Sequence, residues 1–158
     1  MTSSATSTDR IVKQVTFDAP QSRVWRAITD VEQFNKWFGV NLGSAFVPGA
    51  EVSGHVRFKG MEHMRMTIWI DSVEPERFFS FRWHPYAVEE NVDYESEPKT
   101  LVTFTLEPDG ARTHVTIVES GFDAIPESRR AKAFAMNTGG GNAQAENIRK
   151  FLSAPATA

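Results

Sequence analysis

Glu119 is the residue whose type and position are best suited to chemistry. It lies in the run THVTIVES (113–120), whose alternation predicts a strand with Val115, Ile117 and Glu119 on one face. A carboxylate that shares a face with core residues must find a partner or become protonated. It could anchor a ligand hydroxyl or amine, or act as an acid or base with a raised pKa. The alternative is a structural partnership with an arginine or with backbone groups near Gly121.

The histidines do not suggest a metal site. His55, His63, His84 and His114 fall on four different predicted strands, and Glu62 beside His63 lacks the helical spacing of a metalloprotease motif. We expect His55 and His63 on the outer, solvated face of the sheet, although a bulge that shifts the register could bring His63 to the inner face. The sequence therefore predicts no metal and no cofactor.

Nucleophilic and phosphate-binding motifs are also missing. The chain has no cysteine, no GxSxG motif and no serine whose spacing suggests a triad. The glycines at 139–141 lack the Gly-Lys-Ser/Thr ending of a phosphate loop and do not follow a strand. Three consecutive glycines forfeit roughly 2–3 kcal/mol of helix propensity relative to alanine, so we expect a hinge between two helical segments there.

Aromatic residues are concentrated in VWRAITDVEQFNKWFG (24–39). Trp25 falls at helical spacing with other apolar residues and should pack a first helix against the sheet. Phe34, Trp37 and Phe38 form the stripe of a second helix, which we expect to close one end of a groove as a lid or end wall. Ordinary core packing is the alternative.

Composition narrows the class of protein. The 158 residues include 17 basic and 20 acidic side chains, a net charge of -3, which provides no basic field for nucleic acid. No apolar run approaches the length of a membrane span. The absence of cysteine permits a reducing compartment, and we expect a cytoplasmic protein, monomeric or homodimeric.

The elements predicted from periodicity follow one order along the chain. A strand from Arg10 is followed by two short helices, then by an antiparallel meander, and the chain ends in helical segments. The meander strands are predicted at 51–58, 61–73, 77–84, 100–107 and 113–120. The acidic stretch 86–99 is predicted to be a mobile surface loop.

Longer runs resemble a known family. They are AP-x-x-RVWRAITD-x-E-x-F-x-KWFG (19–39), VEPERFFSFRW (73–83), TLVTFTLEPDG-x-RT-x-VTIVESGFD (100–123) and GG-x-x-x-x-ENI-x-KFL (140–152), where x marks a position that does not contribute. Together they resemble the heat-shock-protein-90 ATPase activator-like branch of the START-like (SRPBCC) superfamily. The resemblance covers about residues 10–153.

This resemblance implies an α+β helix-grip fold. A curved antiparallel sheet of about six strands would wrap a long C-terminal helix and leave a cavity between them, with two short helices after the first strand. We expect a single domain at 10–153, with disordered tails at 1–9 and 154–158. The superfamily includes lipid and hormone binders as well as aromatases and cyclases.

Strand parity and the implied fold predict an apolar, aromatic and methionine-rich cavity. Its predicted lining is Trp37, Phe38, Met64, Met66, Ile68, Phe79, Phe81, Trp83, Phe104, Ile117, Glu119 and Met136. Such a lining suits a small hydrophobic or amphipathic ligand, although the same residues could simply fill a core. An interaction module for a chaperone is the alternative function, and a cyclase-like or hydrolytic enzyme using Glu119 is a third.

Overall fold

The computed structural model describes residues 9–57, 59–60, 62–84, 98–125 and 127–153. At 127–129, 132, 133, 136 and 138–142 it describes the backbone only. The predicted tails at 1–9 and 154–158 lie outside these residues, except for Asp9. The predicted loop at 86–99 also lies outside them, except for residues 98–99. Asp9 belongs to the fold, because its backbone carbonyl accepts hydrogen bonds from the amides of Gly121 and Phe122.

One open antiparallel sheet contains all the described strands. They are β1 (Arg10–Phe17), β2 (Val40–Leu42), β3 (Glu51–Val56), β4 (Arg65–Glu74), β5 (Phe78–Trp83), β6 (Thr100–Asp109) and β7 (Arg112–Ser120). Their order across the sheet is β1-β7-β6-β5-β4-β3-β2. The first strand therefore pairs with the last, and the meander fills the space between β1 and the β2 edge.

Three α-helices accompany the sheet in the described part of the chain, and the α+β helix-grip prediction is confirmed. They are α1 (Gln21–Thr29), α2 (Val31–Phe38) and α3 (Glu127–Ser153), with a 3₁₀ turn at Phe122–Ala124 before α3. Asp30 ends α1 and caps α2, since its carboxylate accepts hydrogen bonds from the amides of Glu32 and Gln33. Gly39 closes α2 in the left-handed conformation with φ of 86°.

The sheet has seven strands among the described residues, against the prediction of about six. β2 has only three residues, too few for an alternating pattern, and it follows directly from the Gly39 cap. The Asn35 side chain in α2 stabilises it, because its amide donates to Leu42 O at 3.0 Å and its carbonyl accepts from Leu42 N at 2.9 Å. An amide side chain thus replaces a neighbouring strand at this sheet edge.

The core lies on one face of the sheet, where the predicted parity is observed. Phe79, Phe81, Val102, Phe104 and Val115 are all buried there. Ile68 and Ile70 of β4 join the same cluster, before a register shift between Ile70 and Ser72. Alternate side chains therefore point into the core, as strand geometry requires.

The prediction of a hinge at 139–141 was wrong. α3 is one continuous helix from Glu127 to Ser153 and passes through all three glycines. Its backbone packs mainly against the 3₁₀ turn near its start and against α1, α2 and β1 further along. Tertiary contacts on both sides of the glycines override their low propensity, which is a weak local preference.

Candidate functional site

Glu119 lies on β7 in the middle of three paired strands. It is opposite Ile11 of β1 and Val102 of β6, and Val102 is in turn opposite Phe81 of β5. Because alternate residues share a face, Glu119 points to the same side as the buried residues of this row. Its side chain is only 8% exposed. Within the described part of the chain, it is the one buried charged residue.

Three neutral side chains donate hydrogen bonds to the Glu119 carboxylate. Oε2 accepts from Trp83 Nε1 at 2.8 Å and from Thr100 Oγ1 at 2.6 Å. Asn137 Nδ2 lies 3.0 Å from Oε1 and 2.9 Å from Oε2. The donors come from β5, β6 and α3, so the carboxylate connects the sheet to the middle of the long helix.

The neighbours of Glu119 are unlike those of a structural ion pair. No lysine, arginine or histidine whose side chain is described forms an ion pair with it. Burial raises the pKa of Glu119, while the hydrogen bonds from Thr100, Trp83 and Asn137 act in the opposite direction. Among the described side chains, the partners of Glu119 are uncharged donors and not the arginine that was the alternative.

The predicted lining residues divide into core and partly exposed sets. Ile68, Phe79, Phe81, Phe104 and Trp37 are buried. Phe38, Met64, Met66, Trp83 and Ile117 are half-buried. Met136 lies where only the helix backbone is described. Phe38, Met66, Trp83 and Ile117 pack on the main core, and Trp83 also contacts the carboxylate. Met64 lies just before β4, apart from that cluster.

Aromatic rings connect α2 to the carboxylate. Phe34 is buried at the centre, with ring centroids 4.8 Å from Trp37 and 5.0 Å from Phe38. The indole N–H of Trp37 donates to Ala27 O at 2.7 Å, which fixes this ring in the core. Phe38 is half-buried, and its ring lies 6.0 Å from Trp83. Of the predicted end wall, Phe38 is the ring that reaches the Glu119 site.

No enclosed cavity between sheet and helix is found among the residues that the structure describes. Two open depressions lie elsewhere, one at the start of α1 beside Phe78 and Leu106, and one between α2 and α3 beside Trp37 and Phe151. Neither is lined by Glu119. The central cavity, and the role of its lining residues, therefore stay predictions.

Two members of the site were not identified from the sequence. Thr100 is fully buried at the first position of β6, directly opposite Trp83. Asn137 lies three residues after Phe134 and eleven before Ile148, which places it on the inward stripe of α3. A polar residue on an apolar helical stripe could have identified Asn137 as a member of a buried polar site, because a buried amide needs a hydrogen-bond partner.

The remaining chemical candidates lie away from Glu119. His55 and His63 are exposed, as predicted, and His114 hydrogen-bonds with the hydroxyl of Thr16 at 3.1 Å. Over the described ranges no group of three or more His, Cys, Asp or Glu side chains could hold a metal ion. Nor does any described helix have the length and apolar character to cross a membrane.

Comparison with protein families gives one match that covers most of the chain. Residues 18–153 match the family described as activator of Hsp90 ATPase homolog 1-like protein. No curated protein matches the sequence.

Solved structures share the fold at low sequence identity. Protein MLL2253 from Mesorhizobium loti is 20% identical with a TM-score of 0.72, covering 90% of this chain and 96% of that one. Protein Ms6760 from Mycobacterium smegmatis is 19% identical with a TM-score of 0.70, covering 94% and 93%. DynU16, from the dynemicin biosynthetic locus, is 25% identical with a TM-score of 0.70. There the match covers 92% of this chain but 48% of DynU16.

Proposed function

This chain belongs to the activator of Hsp90 ATPase homolog 1-like family, and on that premise we propose that it binds a small hydrophobic or amphipathic molecule between its sheet and α3. The observation that carries the proposal is a buried carboxylate, without a countercharge among the described side chains, at the edge of a partly exposed apolar surface. That surface, here called the concave patch, consists of Phe38, Met66, Trp83 and Ile117, which are half-buried against the main core. Trp83 connects it to Glu119 through a hydrogen bond.

The packing of α3 supports this location. Its neighbours are mainly the 3₁₀ turn, α1, α2 and β1, rather than the central strands β4, β5 and β6. Asn137 of α3 donates hydrogen bonds to Glu119 of the sheet. This contact lies between the part of α3 near the 3₁₀ turn and the part that packs on α1, α2 and β1. A ligand entering here would meet apolar side chains with one small polar cluster, Glu119 and its donors, among them, the usual composition of small-molecule sites.

The energetics of Glu119 also favour a binding role. Burying an ionised carboxylate is costly unless it is paired, and neutral donors compensate only part of that cost. Its raised pKa is the consequence. Groups with strongly perturbed pKa values are enriched at functional sites.

A binding survey with aromatic and lipid-like compounds tests this proposal. We expect saturable binding in titration calorimetry for at least one class of compound. Ile117→Phe, which adds bulk to the concave patch, should weaken that binding about tenfold, equivalent to about 1.4 kcal/mol. Val12→Phe is the matched control, because Val12 is 47% exposed on the neighbouring strand. Absence of saturable binding across the survey would contradict the proposal.

The family description supports a second candidate, an interaction module for a chaperone ATPase. For both candidate functions we propose a cytoplasmic location. Pull-down with the cognate Hsp90 and an ATPase assay separate them, because a module of this kind needs no ligand on the concave patch. Stimulation of the ATPase that Ile117→Phe leaves unchanged would favour the second candidate.

A further inference from the structure

We infer that the concave patch selects a cationic amphiphile, a molecule with an ammonium group on an apolar body, and that Glu119 is the residue that receives the ammonium. This inference rests on the proposed function, since it concerns the same surface. It specifies the charge of the ligand, which fold and family leave open. Three features of the site carry it: the free acceptor capacity of the carboxylate, the absence of a countercharge among the described side chains and the flanking rings.

The two carboxylate oxygens are unequally used. Oε2 accepts from Trp83, Thr100 and Asn137, whereas Oε1 accepts from Asn137 alone. A carboxylate offers about four acceptor positions, two on each oxygen. Oε1 therefore retains acceptor capacity that no described side chain fills. A ligand must bring a hydrogen-bond donor to use it.

The negative charge of the Glu119 carboxylate favours a ligand whose hydrogen-bond donor is a cation. The donors from the protein are an indole, a hydroxyl and an amide, all neutral, and no described side chain gives Glu119 an ion pair. An ammonium would form a charge-assisted hydrogen bond to the carboxylate, roughly twice as strong as a neutral one. An anionic ligand, such as a fatty acid, would instead meet like-charge repulsion in a buried setting.

The flanking rings define the apolar part of the ligand. Trp83 is held by its N–H bond to Glu119, with its ring centroid 5.4 Å from Phe81 and 6.0 Å from Phe38. Trp83 and Phe38 are half-buried, so both keep exposed surface, and Trp83 directly contacts the carboxylate. A fused aromatic body on a short linker to the ammonium matches this juxtaposition of ring and charge.

A matched series of four probes tests the inference on the whole chain. The probes are 1-naphthylmethylamine, 1-naphthalenemethanol, 1-methylnaphthalene and 1-naphthoate, with affinities measured by ligand-observed NMR at pH 7.5. We expect the amine to bind at least about tenfold more tightly than the alcohol, and 1-naphthoate to bind most weakly.

Two variants connect the preference to Glu119. Glu119→Gln keeps the shape and removes the charge, so the advantage of the amine over the alcohol should disappear. Glu107→Gln makes the same charge change at an exposed position on the adjacent strand β6 and should leave that advantage intact. The probe series on the unaltered protein stands as a separate test if Glu119→Gln does not fold.

The outcomes distinguish the two proposals. Equal affinities for all four probes, or tightest binding of 1-naphthoate, would overturn the cationic preference while leaving hydrophobic binding in place. Retention of the full advantage of the amine in Glu119→Gln would overturn that preference as well. No saturable binding of any probe would count against the ligand-binding proposal itself.

Discussion

Glu119 is an acid whose ionisation the folded state opposes. Burial raises its pKa above the usual value of 4.5, and the three donors reduce that shift without reversing it. A raised pKa in the folded state means that the folded protein holds this proton more tightly than the unfolded chain. The resulting stability is fully present below the unfolded pKa and is lost as the pH rises through the folded pKa.

Glu119→Gln should therefore change how stability depends on pH. The glutamine cannot ionise, so the free energy of unfolding of the unaltered protein should fall relative to the variant as the pH rises above about 4.5. Urea denaturation of both proteins over a pH series measures this difference. Glu107→Gln, at an exposed position, serves as the control. Parallel curves for Glu119→Gln and the unaltered protein would contradict the burial argument.

For single residues, the sequence predicted on which face of a strand a side chain lies better than it predicted the hydrogen-bond partners of that side chain. Strand parity was enough to place Glu119 on the same side as Val115, because alternation is a local property of the backbone. The donors Thr100 and Asn137 are 19 and 18 residues away along the chain. Their contact with Glu119 depends on how β6 and α3 are placed, which local patterns do not encode.

The pairing of β2 with β3 depends on a glycine. Gly54 is opposite Leu42, and it is buried. A Cβ at position 54 would overlap the backbone carbonyl of Asn41 and lie 2.8 Å from Leu42 Cα. Since the obstructing atoms are backbone, no rotamer change relieves the overlap, and the strands would have to separate.

Gly54→Ala should therefore destabilise the protein by about 1–3 kcal/mol or more, as overpacking does in cores. The matched control is Gly43→Ala, whose nearest contact would be at an ordinary 3.8 Å from Ser53 O. It should stay within about 0.5 kcal/mol of the unaltered protein. Urea midpoints at constant m-value give both numbers. Equal midpoints for the two variants would refute this account of β2.

Helices and strands differed in how well the sequence predicted them. The two short helices have clear periodicity and clear boundaries at Asp30 and Gly39, and they appear as expected. The first strand also appears, at Arg10–Phe17, although its alternation in the sequence is less regular. α3 was not predicted as one continuous helix. The low helix propensity of the glycines at 139–141 acts over one turn, whereas the tertiary contacts of α3 act along its whole length. β2 was missed because three residues carry no period.

At the scale of the molecule, the fold was the most predictable property. Motif runs along most of the chain indicated the helix-grip arrangement, and structures at about 20% identity share it. Many sequences satisfy one apolar pattern, so the fold persists when most side chains change. The same tolerance explains why the ligand is not readable from the fold, since function depends on a few residues in one site.

Native mass spectrometry of the protein purified from its own host tests the central claim most directly. Binding between the sheet and α3 predicts a species heavier than the chain by a reproducible increment, which is released under denaturing ionisation. The same increment should be reduced in Ile117→Phe and retained in Val12→Phe. A spectrum that contains only the mass of the unmodified chain, in both mild and denaturing conditions, would contradict the claim.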